Sequence, residues 1–574
     1  MNPVTASSTA SLGLPVLPVR CRSGISRSPD SSQLLSRPLV HDARHHAAQN
    51  FRVTASAPTV PFAGSPPGLD TNVWDQLKNT SAPTYPRLAT NTSADVVVIG
   101  GGIAGLSIAY DLVRAGKKVV VLEAATISSG QTGKSTAQLM MWNDNYYYKI
   151  EEEGGVATSS KVADGHRFAI ETIKRVSEAE KIDCDFEYVD GYLYPADERP
   201  SSYQKLEREL QACRRAGVSG VERVDLGGDS DVGGIRTAIK FPRCANFDPL
   251  KYSQGLAEAI SKRGGAVFES SRVKRAEGRR VTTAAGQSVE TPVIVFATHS
   301  PLHRNLTLHS RQSAEKLYCV ALKMPEGGMA DGQFWDTEDP YHSVRFVKGT
   351  SKGDCLLVRG KNHVAGIKPE EVDRNTYRNL EQWARRRWPQ AGEVAWEWGG
   401  QLYEPIDKLA LYGQDPFNGF QLDGTYYIAT GDSGQGTVGG PLAGKIISDQ
   451  ILGYDGPWSE VFAPARLPAL SKDTAASLGQ VLSDVTAGYV DLVSPAGAQP
   501  LGADDLARDS GAVIQQGLLK VAAYVDEDGV QHKHSAICPH LGCVVQWNPI
   551  DRSFNCPCHG AGFDRYGKLH DVIR

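Results

Sequence analysis

The chain has 574 residues, of which 41% are hydrophobic and 22% charged, with a formal net charge of −4. This length exceeds what one hydrophobic core usually organises, so we expect two or three domains. The low net charge, without a long basic block, argues against nucleic-acid binding. No apolar run reaches the roughly eighteen residues of a membrane helix, which predicts a soluble protein without a transmembrane span.

The first segment, residues 1–60, resembles a targeting sequence. It is rich in Ser, Ala and Arg, and its acidic residues are Asp30 and Asp42. This composition is typical of an organellar transit peptide, although a disordered tail without an address is the alternative. We predict the chloroplast stroma, with mitochondrion or cytoplasm as alternatives. Residues 61–92 are Pro-rich and predict an extended lead-in.

A dinucleotide-binding pattern opens the ordered part of the chain. The β-branched run Asp95–Ile99 predicts a buried parallel strand, and a Gly-rich turn at 100–105 follows at once. A helix to Arg114 and a second strand, Lys118–Leu122, complete the unit. A bare G-x-G-x-x-G would be weak evidence, but here strand, helix and terminal acid are all in place.

Each residue of this pattern has a physical role. Gly100 permits the tight turn, Gly102 lets a pyrophosphate approach the backbone, and Gly105 allows close helix–strand packing. The helix N-terminus supplies amide donors, and Glu123 accepts from ribose hydroxyls. A second G-x-G-x-x-G at 434–439 lacks the following strand and acid, so we do not expect a second nucleotide site.

Three later segments resemble the D-amino acid oxidase superfamily, whose flavin domain is discontinuous. They are the small-residue loop Gly130–Ala137, the helix that begins near Phe247 with its returning strands, and the strand and Gly-rich turn from Thr425 followed by a helix from about Pro441 to Leu452. The resemblance implies FAD as the cofactor. Besides the fingerprint residues, it implies FAD contacts at Thr132, Ser135, Thr136, Val273, Gly431, Asp432, Gly434 and Gly436.

The same resemblance implies the domain organisation. An oxidoreductase unit at 93–453 divides into FAD-binding segments 93–143, 241–301 and 401–453 and a substrate cap at 144–240 and 302–400. In this superfamily the cap is a mixed antiparallel sheet with helices. Helical periodicity predicts Phe168–Ala179 and Ser202–Ala216.

Two stretches, Trp335–Arg345 and Trp398–Asp407, resemble the γ-glutamylputrescine oxidase-like branch of this superfamily. The resemblance implies oxidation of an amine or amino acid, with the flavin itself taking hydride and no catalytic residue assigned. Residues 360–363 depart from the group's Gly-Glu-Asp-His, so its substrate preference is not carried over. Candidate pocket residues, each with a purely structural role as the alternative, are Tyr341, His342, Arg345 and Tyr403.

After a Pro/Gly/Ala-rich linker at 454–499, with one helical piece near Ala475–Leu482, residues 500–574 predict a small all-β domain. It carries the boxes CPHLGC and CPCHG. Two thiolates and two imidazoles at this spacing suit a 2Fe–2S cluster in which two His replace two Cys on one iron. A zinc site is the alternative, but it leaves the second Cys of each box unexplained. The predicted ligands are Cys538, His540, Cys556 and His559.

These boxes resemble the Rieske domains of cytochrome bc-type complexes, and the resemblance implies a disulfide between Cys543 and Cys558. Ala561 and Phe563 stand where those proteins carry Ser and Tyr, whose hydroxyls bond the sulfurs. Since such bonds raise the reduction potential, we expect a lower potential here. The Gly-Pro-Ala loop that covers the cluster in that family has no counterpart before Arg574, which predicts a less stably held cluster.

The predicted fold class is thus an α/β Rossmann-like FAD domain with a mixed antiparallel substrate domain, plus a small all-β Rieske domain. The predicted function is oxidation of an amine or amino acid at FAD, with electrons leaving singly through the cluster to an external acceptor, a protein or a quinone. One alternative is an oxygen-using oxidase with a structural or regulatory Rieske domain. Another is a non-enzymatic redox sensor or electron carrier.

Overall fold

The structure is a computed structural model. It describes residues 72–74, 83–300, 308, 310–416, 423–469, 471–493, 506–517, 519–540, 542–558 and 560–569. The predicted transit segment at 1–60 and most of the lead-in lie outside these residues.

The helices and strands of this part of the chain are numbered here in chain order. The helices are α1 (Ile103–Arg114), α2 (Tyr147–Glu180), α3 (Pro200–Arg215), α4 (Pro249–Lys262), α5 (Thr376–Arg387), α6 (Gly436–Leu452) and α7 (Lys472–Val493). The strands before residue 300 are β1 (Thr92–Ser93), β2 (Val96–Ile99), β3 (Val119–Leu122), β4 (Gln138–Leu139), β5 (Glu187–Tyr194), β6 (Glu222–Asp225), β7 (Thr237–Asn246), β8 (Ala266–Phe268), β9 (Val273–Glu277), β10 (Arg280–Thr283), β11 (Ser288–Glu290) and β12 (Val293–His299). The remaining strands are β13 (Gln312–Lys323), β14 (Gln333–Asp336), β15 (Ser343–Thr350), β16 (Gly353–Val364), β17 (Val394–Pro405), β18 (Leu411–Gln414), β19 (Thr425–Thr430), β20 (Ser510–Gln516), β21 (Leu519–Val525), β22 (Gln531–Ser535), β23 (Gln546–Asn548), β24 (Ser553–Asn555) and β25 (Gly562–Asp564).

A mostly parallel sheet, in the order β18-β19-β12-β2-β3-β8, forms the first layer. Its central strands β2 and β3 are fully buried β-branched and Leu runs, as parallel strands covered on both faces require. Helix α1 packs closely against α6, because Gly444 leaves no side chain between them: a Cβ there would stand 2.8 Å from Ser107 Cβ. This packing brings the N-termini of both helices to one region.

A second, mixed sheet runs in the order β17-β13-β16-β15-β14-β5-β7-β4, with β6 paired to β7. Most of its pairs are antiparallel, whereas β14 and β5 are parallel. Strand β17 continues across the position 400/401 where we predicted the cap to give way to the last FAD segment. The two sheets confirm the predicted α/β fold with a mixed-sheet partner.

Three helices differ in extent from their predictions. Helix α2 has 34 residues and includes a non-helical Gly155, φ 78°, so its first part was hidden by a Gly pair. Helix α6 begins at Gly436, five residues before the predicted Pro441. Helix α7 has 22 residues and extends well beyond the predicted piece at 475–482. The strands predicted to return after the helix near Phe247 begin with two short ones, β8 and β9.

The C-terminal region contains two three-stranded antiparallel sheets, β20-β21-β22 and β23-β24-β25. A tight turn at Asp528-Gly529 joins β21 to β22, with the Asp526 N–H donating to the Val530 oxygen over 3.0 Å. This small all-β unit confirms the last element of the predicted fold class. Within the described residues, no helix has the length and apolar character needed to cross a bilayer.

Candidate functional site

The Gly-rich turn between β2 and α1 is built as the dinucleotide pattern requires. Gly100 has φ +110°, and a Cβ there would stand 2.3 Å from the Ala297 oxygen. A Cβ on Gly105 would stand 2.0 Å from the Gly100 oxygen. At Gly102, the nearest side-chain atom to a Cβ position is Thr132 Oγ1 at 3.1 Å, which leaves this face of the turn open to a bound group.

Glu123 follows β3 and ties the turn together. Its Oε2 accepts from the Gly101 N–H and its Oε1 from the Ala125 N–H, each over 2.8 Å. Burial raises the pKa of Glu123, while these backbone donors oppose the rise. The carboxyl group is therefore fixed at the end of the strand, beside the Gly-rich turn.

One continuous cavity starts at this turn and extends to the mixed sheet. Arg272 and Val273 lie at the Glu123 end, and Leu317, Cys319 and Arg359 belong to the mixed sheet. Gly105 and Gly431 do not line it: Gly105 serves helix–strand packing, and Gly431, φ +73°, turns the chain after β19. The predicted FAD residues that line the cavity are Gly100, Gly102, Glu123, Thr132, Ser135, Thr136, Val273, Asp432, Gly434 and Gly436.

The cavity wall contains a buried polar side chain, Gln401, that could bind a polar group. The Gln401 side chain is 4% exposed, and its Oε1 finds no hydrogen-bond partner among the described residues. Its amide Nε2 donates to the Tyr403 hydroxyl over 3.0 Å, and its backbone N–H donates to Gln131 Oε1 over 2.9 Å. A buried acceptor without a partner is costly, so this wall fits a ligand that brings N–H or O–H groups, as a flavin does.

Arg359, which the sequence analysis did not single out, lies at the mixed-sheet end of the cavity. It is 5% exposed, and its Nη1 donates to the Tyr341 hydroxyl over 2.8 Å. Tyr341 in turn donates to Asp144 Oδ2 over 3.1 Å. Among the described residues this hydroxyl is the guanidinium's only hydrogen-bond partner, so most of its donors remain for a ligand. The signal that could have found it is an Arg placed directly after the apolar run at 355–358, since an interior guanidinium needs a partner.

Gly434 brings the backbone up to this pair of side chains. A Cβ there would stand 2.4 Å from Asp144 Oδ2 and 2.6 Å from Arg359 Nη1. The Gly434 N–H donates to Asp144 Oδ2 over 3.2 Å. No larger residue fits, so the turn after β19, the Asp144 carboxylate and the Arg359 guanidinium are held at one place.

The four residues predicted for the substrate pocket are not all brought together. Tyr403 lines the cavity, and Tyr341 lies one layer behind it against Arg359. His342 does not line the cavity: its ring Nδ1 is 2.8 Å from Asp336 Oδ2, and the ring stacks on Trp383 at 4.1 Å.

Arg345 also lies outside the cavity lining. Its Nη1 donates to the oxygens of Ala137 over 2.7 Å, Thr136 over 3.2 Å and Phe247 over 3.4 Å. Burial lowers its pKa to about 10. The guanidinium therefore supports the backbone of the loop that precedes β4, and it is already occupied by carbonyl groups.

The predicted cluster ligands lie on two buried loops of the C-terminal unit. Cys538, His540 and Cys556 are 2%, 3% and 1% exposed, and His559 lies outside the described residues. The first loop is closed by the Cys538 N–H donating to the Cys543 oxygen over 2.9 Å. In the second, the Gly560 N–H donates to the Cys556 oxygen over 2.8 Å.

A disulfide joins the two loops between Cys543 and Cys558, the pair that the resemblance implied. The sulfurs of these two residues and of Cys556 lie within 4.8 Å of one another. Two buried thiols and an imidazole on loops fastened side by side are a donor set that fits a His-ligated 2Fe–2S cluster.

The second cluster loop packs directly on the mixed sheet. Gly366, φ +75°, meets Pro557, since a Cβ on the glycine would stand 2.4 Å from the proline nitrogen. A Cβ on Gly560, φ +68°, would stand 2.4 Å from Ala314 Cβ and 2.7 Å from Gln401 Nε2. Close backbone approach at two glycines places the loop against the strand that lines the cavity.

Polar contacts surround this packing. Asn548 Nδ2 donates to the Tyr318 hydroxyl over 3.2 Å, and Lys316 Nζ lies 3.5 Å from Asp551 Oδ2 with both side chains largely buried. Leu569, at the end of the described C-terminal residues, is itself part of the cavity wall. The C-terminal unit is thus in contact with the wall of the cavity at more than one point.

Comparison with known proteins places both parts of the chain. Residues 95–450 match the model of the family described as FAD dependent oxidoreductase, and residues 501–573 match the Rieske [2Fe-2S] domain. The Rieske 2Fe-2S iron-sulfur protein YhfW of Bacillus subtilis is 27% identical over 499 residues, covering 86% of this chain and 94% of its own length. The gamma-glutamylputrescine oxidoreductase of Escherichia coli is 27% identical over 399 residues, covering 65% of this chain and 87% of its own length.

Among solved structures, glycine oxidase from Geobacillus kaustophilus superposes with a TM-score of 0.54 at 18% identity, over 66% of this chain and all of that one. This likeness bears on the fold alone. The first match covers more than half of the chain and gives FAD as the cofactor of that unit, and the Rieske match gives a 2Fe–2S cluster in the second. The chain belongs to the FAD dependent oxidoreductase family and carries a Rieske [2Fe-2S] domain in the same polypeptide.

Proposed function

We propose that this protein oxidises an amino acid at FAD and delivers the electrons one at a time, through its Rieske domain, to a one-electron acceptor outside the chain. When bound, the flavin accepts a hydride equivalent from the substrate, and the cluster carries single electrons. The observation that carries the proposal is the contact between Gly560 of the second cluster loop and Gln401 of the cavity wall. It joins the two cofactor-binding regions through directly packed atoms.

The fingerprint residues give the flavin its position. We propose that the turn at 100–105 and the N-terminus of α1 bind the pyrophosphate, and that Glu123 binds the ribose. The isoalloxazine ring would then reach the opposite end of the cavity, where α6 begins at Gly436. Gln401 and Tyr403 lie at this end, on the strand that the cluster loop touches.

Arg359 supports an amino acid over a simple amine. A buried guanidinium with one hydrogen bond to a neutral hydroxyl is suited to bind a carboxylate through two parallel N–H groups. Tyr341 and Asp144 hold it in place, and Gly434 excludes any side chain that would displace it. A carboxylate bound here would place the adjoining carbon at the flavin end of the cavity. The name of one relative, gamma-glutamylputrescine oxidoreductase, is compatible with an amino-nitrogen substrate.

Anaerobic rapid mixing tests the proposal. The holoprotein is mixed with a panel of D- and L-amino acids and matched decarboxylated amines, while absorbance reports the flavin and electron paramagnetic resonance reports the cluster. Flavin bleaching followed by a reduced-cluster signal, with the amino acid reacting and its decarboxylated partner not, is the expected result. Bleaching with an untouched cluster, together with fast peroxide formation in air, would instead identify an oxygen-using oxidase. No bleaching by any compound would favour a carrier or sensor without substrate oxidation.

We propose that the electron acceptor takes single electrons and is either a redox protein or a quinone.

We also propose that the segment at 1–60 directs the protein to the chloroplast stroma. A fusion of residues 1–60 to a fluorescent protein tests the proposed location. Import into plastids is expected, and retention of the fusion in the cytoplasm would overturn the proposal.

A further inference from the structure

We infer that helix α7 covers the cluster-binding loops and shields them from solvent, and that Gly488 is the residue at which the helix packs against them. The sequence predicts a linker at 454–499 with one short helical piece. In the structure, α7 lies directly over the disulfide that fastens the two loops. The inference concerns the cluster environment and does not depend on the substrate or on the direction of electron flow.

Gly488 of α7 is in close contact with both cluster loops. A Cβ on Gly488 would stand 2.9 Å from Cys558 Sγ, 3.1 Å from Pro557 Cγ and 3.2 Å from Cys543 Cβ. The Val544 N–H donates to the Gly488 oxygen over 3.2 Å, so the helix backbone also makes a hydrogen bond to the first loop. With a side chain at this position, either the helix or the disulfide would have to move by a few tenths of an ångström.

Further contacts keep the helix on the loops. Val485, one turn earlier, packs into the buried apolar group that contains Cys538, Cys543 and Cys556. One turn later, Gln546 Nε2 donates to Asp491 Oδ2 over 3.0 Å. The helix therefore touches the C-terminal unit over at least two consecutive turns.

The other end of the helix is fastened to the oxidoreductase unit. Thr474 Oγ1 donates to Glu153 Oε2 over 3.0 Å, and Ser471 Oγ donates to Glu153 Oε1. Thr474 and Val481 are 6% and 4% exposed. Helix α7 thus begins on α2 and ends on the cluster loops, which makes it a brace between the two units as well as a cover.

This position has a consequence for the cluster. The reduction potential and lifetime of an iron–sulfur cluster depend on solvent access and on the hydrogen bonds around its sulfurs. Gly488 touches the residues next to the ligands and not the ligands themselves, so it is a positioning residue. Displacing the helix would shift the Cys543–Cys558 edge of both loops and admit water to it.

The helix itself supplies a matched control. Gly479 lies on the same helix, and a Cβ there would meet no atom within 4 Å. Gly488→Ala and Gly479→Ala therefore remove the same helix-weakening residue, but only the first inserts a methyl group against the disulfide. Asp491→Ala removes the bond to Gln546, and Asp491→Asn keeps an oxygen acceptor for it.

The measurements are made on purified full-length holoprotein reduced with dithionite. In Gly488→Ala we expect a shifted midpoint potential, altered g-values of the reduced cluster, and loss of cluster absorbance in chelator about fivefold faster than in the parent. Gly479→Ala should match the parent in all three, and flavin absorbance reports that the rest of the chain is folded. Asp491→Ala should also lose its cluster faster, with Asp491→Asn restoring the parent lifetime.

The inference is overturned if Gly488→Ala and Gly479→Ala have the same potential, spectrum and cluster lifetime. If Gly488→Ala cannot be purified with flavin bound, the Asp491 pair decides. Equal lifetimes for Asp491→Ala and the parent would then exclude α7 as the cover.

Discussion

The side chain of Gln401 and the backbone of Gly560 are in direct contact: a Cβ on Gly560 would stand 2.7 Å from Gln401 Nε2. Gln401 lies on the cavity wall, and Gly560 lies four residues after the predicted ligand Cys556. Two regions that are far apart in sequence thus meet without an intervening side chain. Because electron transfer slows steeply with distance, this contact is the place where a small change should be felt most.

Substituting Gly560 by Ala should separate the two units locally. The new methyl group would overlap Ala314 and Gln401, and the residue would also have to keep φ +68°. We expect slower reduction of the cluster after flavin bleaching, and a loss of about 2 kcal/mol in the free energy of unfolding. Rapid-mixing spectroscopy and denaturant unfolding measure the two effects.

Gly517→Ala is the control for that experiment. Gly517 has φ +62°, and a Cβ there meets nothing within 4 Å, so it carries the backbone strain without the contact. It should lower the free energy of unfolding by about 1 kcal/mol and leave the rate of cluster reduction unchanged. Equal rates in both variants would show that the Gly560 contact does not affect transfer.

Arg359 and Arg345 should respond differently to the same substitution. Arg359→Lys replaces a planar fork by a point charge at the cavity wall, so we expect KM for the amino acid to rise about 30-fold with flavin binding unchanged. Arg345→Lys removes donors to three backbone oxygens. We expect it to lower the melting temperature with KM for the amino acid unchanged. If Arg345→Lys raised KM for the amino acid and Arg359→Lys did not, the carboxylate would be bound by Arg345 instead.

These two arginines show where sequence reasoning stops. They project from neighbouring antiparallel strands, with Ser343 opposite Arg359 and Arg345 opposite Leu357, so both belong to one face of the sheet. The sequence can predict that face by alternation. It does not reveal that the loop at 136–137 covers Arg345 while Arg359 meets the cavity, because that depends on a chain segment about 200 residues away.

The dinucleotide unit and the cluster boxes were predictable for the opposite reason. Their geometry is largely local: a Cβ on Gly105 would meet the Gly100 oxygen and Val98, and the Cys538 N–H donates to the Cys543 oxygen within one loop. Helix α7 was predicted too short, since Gly479, Thr486 and Gly488 lower its intrinsic helix propensity. Its second half is stabilised by packing on the cluster loops, a tertiary contact that no local pattern encodes.

A buried carboxyl group should make stability depend on pH. Glu209 on α3 is 0% exposed and accepts from the backbone N–H groups of Tyr147 and Tyr148 and from Trp142 Nε1. Burial raises its pKa to about 7. Since the folded state then holds a proton that the unfolded state has released, the free energy of unfolding should fall as pH rises from about 4.5 to 7, by about 3 kcal/mol from this group.

Glu209→Gln isolates that contribution, because the amide does not titrate. The free energy of unfolding is measured with denaturant at several pH values for parent and variant. The value for the parent minus that for the variant should decrease as pH rises from 5 to 7. It should be constant above about pH 8. A difference that stays constant from pH 5 to 8 would show that Glu209 remains ionised in the fold.

Two residues beside the second cluster loop should set the reduction potential of the cluster. Ala561 is buried, and its oxygen accepts from the Cys556 N–H over 2.8 Å, so a hydroxyl added at this residue would lie beside a predicted ligand. Phe563, two residues on, packs against the same buried group. We expect Ala561→Ser and Phe563→Tyr each to raise the midpoint potential, and the double variant to raise it further, because hydroxyl donors to the sulfurs stabilise the reduced, more negative cluster. Redox titration followed by electron paramagnetic resonance measures the three potentials. Unchanged potentials in all three would mean that these positions do not reach the sulfurs, and that the low potential expected for this chain comes from another source, such as the exclusion of solvent from the loops that α7 covers.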